Sequence, residues 1–166
     1  CTLPIDIVLA ASDGKQFGAH RRNLELYSEG FPPSTLGDSS EAAGASTKAE
    51  IAELPERPEV VELVLRYMHN TRQPRLDDLG FDVFEDLAEA VEKYSIYSAM
   101  EICRVFMERH MHEHPTEALT YAYKHEYHKL ANKAAPYTLD WKLNAAQRAL
   151  GSAFIGWVSA PSSVNV

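Results

Sequence analysis

Asp6-Ile7-Val8-Leu9-Ala10-Ala11-Ser12-Asp13-Gly14-Lys15-Gln16-Phe17-Gly18-Ala19-His20-Arg21 is the stretch on which the fold turns. Its first part, begun at Ile5, is a β-rich run up to Ala11. Asp13-Gly14 then supplies the turn, because glycine reaches the positive φ that a tight hairpin needs, and Gln16 to Ala19 returns as a second strand. From His20 the pattern changes to a helical one, with Leu24, Tyr27 and Phe31 spaced by three and four, and Gly30 and Pro32-Pro33 bring it to a stop. The strand pair therefore feeds directly into a helix.

Working outward, residues 34–48 are small and polar, with few large apolar side chains to offset the entropy of ordering, and read as a mobile surface loop. Glu50 to Leu54 reads as a short strand. Pro58 is suited to the first helical position, and Val60, Val61, Val64, Tyr67 and Met68 form one stripe behind it. Phe84, Leu87, Ala88, Val91 and Tyr94 repeat the helical spacing, as do Ala99, Cys103, Phe106, Met107 and His110. Pro115 opens a further helix with Leu119, Ala122 and Tyr123 inward, and Leu139, Leu143, Ala146 and Leu150 mark a last one. Phe154 to Val158, with Trp157, packs back on that helix or forms an exposed patch, and Pro161 to Val166 reads as a frayed tail.

The order and spacing of these segments resemble the BTB/POZ domains. Asp6-Ile7-Val8-Leu9, Ser12 to Arg21, Leu24, Ser28 to Phe31, Ile51 to Glu56, Val61 to Tyr67 and Leu87 to Tyr94 carry the resemblance over roughly residues 5–112, about two thirds of the chain. In style it is similar to the short BTB proteins of filamentous fungi. The resemblance implies an α+β fold, a small β-sheet flanked by a helical cluster, with a C-terminal helical extension, divided as a BTB/POZ domain over 3–112, an extension over 113–150 and a tail over 151–166. It also implies a non-enzymatic protein-interaction module. Such a module is an adaptor for a cullin-RING ubiquitin ligase, a self-associating scaffold or homodimer, or a homodimerising transcription-associated module.

The resemblance matches Asp6 and Arg21 to the family's charged pair and His20 to the motif beside it. A partly buried carboxylate and guanidinium either fix the hairpin against the helix or belong to a partner-binding pocket. Phe84, Lys93, Tyr94 and Phe106 mark the helices that would meet a partner. Two departures stand out: Pro32-Pro33 and the small-residue loop follow Phe31 where members commonly keep a helix and a second Phe, and His69 replaces an aromatic residue. The chain opens on Cys1 and not on Met, which reads as a trimmed piece lacking the N-terminal segment that many animal members exchange across a dimer interface.

Composition narrows the function classes. Across 166 residues, 16 Lys+Arg stand against 24 Asp+Glu, a net charge of −8, which argues against phosphate-backbone ligands and toward protein partners, with no nucleic acid and no membrane. No window reaches the ~18 apolar residues of a membrane span. Cys1 and Cys103, far apart, form no disulfide framework, so an intracellular location, cytoplasmic or nuclear, is expected. No catalytic or cofactor motif emerges: Ser12-Asp13-Gly14 lacks the Gly-x-Ser-x-Gly elbow, and no cofactor is expected. The rival signal is the cluster His110, His112, His114, His125 and His128, whose i, i+4 and i, i+3 pairs offer a weaker alternative, a metal-binding protein; its competitor is a set of solvated helix ends.

Overall fold

The computed structural model describes residues 3–31, 50–138 and 143–151. The chain divides into two compact units, residues 1–102 and 103–166.

In the first unit, β1 (Ile7–Ala10) and β2 (Gln16–Ala19) form the antiparallel hairpin, in the register Ile7 opposite Ala19 and Ala10 opposite Gln16. Gly14 takes φ of +86° in the turn, where a side chain would be strained, and the Asp13 carboxylate accepts the Lys15 N–H at 2.8 Å. A third strand, β3 (Glu50–Glu53), pairs parallel to β1, so the sheet order is β2-β1-β3. Parallel pairing needs a crossover, and α1 (Arg21–Tyr27) lies within the connection.

The helix opened by the hairpin is shorter than its spacing predicts. It ends at Tyr27, and Ser28 turns to extended backbone while its own N–H and hydroxyl both donate to the Leu24 carbonyl. A serine that answers the helix's last carbonyls closes it early. Phe31 therefore lies outside the helical stripe to which its spacing assigns it.

The core of this unit comes from α2 (Pro58–Tyr67) and α3 (Phe81–Lys93), with Pro58 at the first helical position. Val60, Val61, Val64, Tyr67 and Met68 are buried, as are Phe84, Leu87, Ala88, Val91 and Tyr94. Burying each large apolar side chain contributes about 1.5–3 kcal/mol, so these two stripes dominate the stabilisation of the helical layer. A short 3-10 turn, Leu76–Asp78, precedes α3, and Ser95, at φ of +52°, separates α3 from α4 (Tyr97–His110).

The second unit takes the later part of α4 with α5 (Pro115–Lys124), α6 (His128–Ala134) and α7 (Leu143–Leu150). Tyr121, and not the half-buried Tyr123, joins Leu119 and Ala122 inside, while burial pushes the Tyr123 phenol up. The helix α6 has no counterpart among the sequence-based expectations. It starts after Glu126, at φ of +60°, and buries Leu130, Ala131 and Ala134. Residues 34–48, Leu139, Trp141, the Phe154–Val158 group and the tail from Pro161 lie outside the described residues.

Candidate functional site

Asp6, His20 and Arg21 meet where the start of β1 faces the start of α1. Every helix begins with N–H groups that have no partner inside it. Here the Arg21 N–H donates to Asp6 Oδ1 at 2.8 Å, so a carboxylate from the residue just before β1 caps the helix, and its negative charge suits that end of the helix dipole. Asp6 is exposed and Arg21 half-buried. His20 is buried and fixes the chain before β1, its Nδ1–H donating to the Pro4 carbonyl at 2.7 Å. Its ring lies 5.3 Å from that of His69, whose Nδ1–H donates to the Leu65 carbonyl at 2.7 Å. The histidine that departs from the family's aromatic thus still presents a ring to His20.

Tyr94 and Lys93 form a second focus at the end of α3. The Tyr94 hydroxyl donates to Glu56 Oε2 and the Lys93 ammonium to Glu56 Oε1, both at 2.7 Å, while the ammonium sits 4.7 Å from the centre of the Tyr94 ring. Burial, then the neighbouring Glu56 carboxylate, drives the Tyr94 phenol far above its ordinary range, so it stays a donor. Phe31 stacks on Tyr94 at 4.3 Å with planes 9° apart, and the Gly30 N–H donates to the Tyr94 carbonyl at 2.9 Å. Nearby, Arg57 reaches Asp82 at 2.9 Å and also pairs with Asp86, which holds the Asp82 carboxyl below its usual value. Phe84 is fully buried, so it belongs to the core and leaves contact with a partner to its neighbours.

In the second unit the histidines rest against separate rings. His110 packs on Phe106 at 4.3 Å, His112 on Tyr137 at 4.3 Å, and His125 on Tyr121 at 4.9 Å. His114 precedes α5 and His128 begins α6. Among the described residues no group of three or more His, Cys, Asp or Glu side chains could hold a metal ion. Close by, Glu108 receives the Arg104 guanidinium at 3.1 Å and also pairs with the Lys133 ammonium; these bonds, Lys133 first, hold its carboxyl below the usual range.

A hairpin running into a helix, a parallel third strand and two buried helical stripes are the frame of a known family, and the sequence model of the BTB/POZ domain matches residues 2–111. The chain belongs to the BTB/POZ domain family. No curated protein matches it significantly. BTB/POZ domains are protein-interaction modules, which directs attention to apolar side chains that this one leaves in solvent. In α1 only Leu24 is buried, whereas Leu26 is 68% and Tyr27 37% exposed. In α4, Tyr97 is 60% and Ile102 40% exposed, with the Tyr97 hydroxyl held by Glu29 at 2.7 Å. Among the described residues no helix is long and apolar enough to cross a membrane.

Of the sequence-predicted residues, Asp6, His20 and Arg21 lie together at the α1 start and Lys93 with Tyr94 at the α3 end, while Phe84 is in the core and Phe106 lies on α4 beyond the first compact unit, all within the matched residues. Sequence reasoning missed Leu26, Tyr97 and Ile102, because periodicity identifies an apolar stripe without telling whether anything covers it. It also missed the basic residues around Glu108, which are dispersed along the chain. Their signal was the i, i+4 pair Lys129 and Lys133 together with Arg104 and Arg109.

Proposed function

We propose that this chain is a non-enzymatic interaction module whose BTB domain, over residues 3–112, self-associates through the exposed face of α1, with residues 113–150 as a helical extension. The observation that carries this reading is Leu26, 68% exposed on a helix that buries one residue. Each Leu or Tyr withdrawn from water at an interface contributes a favourable transfer term, and a two-fold contact places the same patch on both partners. Sedimentation of the chain should give a concentration-dependent dimer, and Leu26→Asp should return it to monomer with an unchanged circular dichroism spectrum. A chain that stays monomeric up to ~100 μM, where an interface of even modest affinity registers, contradicts the reading.

A second role rests on α4. Tyr97 and Ile102 are left in solvent on α4, and the Glu29 contact fixes the Tyr97 ring before any partner arrives, which lowers the ordering cost of binding. This supports adaptor work for a cullin-type scaffold, with Phe84 and Tyr94 turned inward as supports. Co-elution with a cullin N-terminal fragment at ~10 μM, weakened by Tyr97→Asp, is the expected result. The acidic balance and the absence of a disulfide framework in the sequence suit such work in cytoplasm or nucleus.

A further inference from the structure

We propose that a groove formed by the last turns of α4 and by α6 docks an acidic segment of a partner protein. The groove lies within residues 103–166, and its test does not depend on self-association or on a cullin. The groove has a volume of about 570 Å³, and among the described residues its lining carries Arg104, Arg109, Lys129 and Lys133 against one carboxylate, Glu108.

Three observations select the ligand. The first is charge: residues 1–102 contain 9 Lys+Arg and 19 Asp+Glu, a net −10, whereas residues 103–166 contain 7 and 5, a net +2. The acidity of the chain thus resides in the other unit, and the groove concentrates the cations of this one. The second is geometry. Arg104 and Lys133 already converge on one carboxylate, that of Glu108, so the groove is arranged around the group that an acidic side chain would bring. Lys129, exposed and one turn before Lys133 on α6, extends the same row of cations along the groove. The third is the apolar lining: Val105, 46% exposed, and Met111 can receive an aliphatic side chain placed between acidic ones. A segment of alternating acidic and apolar residues satisfies both kinds of lining.

The test uses the full chain and fluorescence anisotropy with a labelled Asp/Glu-rich peptide carrying one Leu, beside a peptide in which every Asp and Glu is replaced by Asn and Gln. Saturable binding of the acidic peptide is expected, weakened at least about tenfold in the amide peptide and by a comparable factor in Lys129→Glu. Glu108→Gln supplies an independent reading: removing the competing carboxylate releases Lys133 and should tighten binding severalfold. Equal affinity for both peptides, or a Lys129→Glu variant that binds like the wild type, would overturn the proposal. So would tighter binding of an oligonucleotide of matched charge, which would mean that the groove reads phosphate backbones and not acidic side chains.

Discussion

At the scale of single residues, Gly30 has the least latitude of the described glycines. A Cβ there would stand 2.4 Å from Tyr94 Cα and 2.5 Å from the Lys93 carbonyl oxygen, both backbone atoms that cannot rotate away. The close approach lets the Gly30 N–H bond to Tyr94 and brings Phe31 onto the Tyr94 ring, so the chain after α1 is fastened to the end of α3. Gly30→Ala should lose both contacts and destabilise the protein by about 1–3 kcal/mol, the range in which overpacking falls. Urea unfolding monitored by circular dichroism measures it, and a change within experimental error would show that the backbone yields here. Asp6 teaches a related point. Sequence pattern identifies it as a charged residue near Arg21, and it also caps the Arg21 backbone N–H, a group that every residue but proline carries and that no spacing can single out.

Individual elements differ in how far sequence alone discloses them. The hairpin, α2 and α3 were legible because their signals coincide: an Asp-Gly turn, a proline at the first helical position, and apolar stripes that fall inside the core. The end of α1 was not, since Ser28 closes the helix through contacts that apolar periodicity does not encode. The helix α6 was missed because seven residues offer barely two turns, and its buried Ala131 and Ala134 are weak apolar markers. What ties α6 to α4 is instead the pairing of Lys133 with Glu108, and that pairing has a pH signature. Glu108 is held below its ordinary value of 4.5 in the folded chain, so the unfolded state takes up its proton first as acid is added. The contribution is therefore complete above that value and is lost as the pH falls through the lower, folded one. Thermal melts of the wild type and Lys133→Met should differ most near neutral pH, and the gap should close progressively below pH 4.5. A gap that stayed constant into acid would mean that Lys133 acts by packing its aliphatic stem and not by its charge.

For the whole molecule, the uneven division of charge sets the sign of a measurable dependence. Two copies of a chain carrying −8 repel one another, and a net −10 falls on residues 1–102, the unit that bears α1. If pairing occurs by apolar contact between α1 helices, salt screens this repulsion and the dimer should tighten severalfold from about 0.05 M to about 0.5 M NaCl, as the Debye length contracts. If copies instead assembled by placing the acidic unit of one in the basic groove of the next, salt would weaken the assembly, and a head-to-tail contact of that kind would continue beyond a dimer. Sedimentation velocity across the salt range separates the two in one experiment. A dimer that tightens with salt and is removed by Leu26→Asp assigns self-association to α1. An assembly that dissolves with salt and is removed by Lys129→Glu assigns it to the groove, and the acidic segment that the groove receives would then come from the chain's own copies.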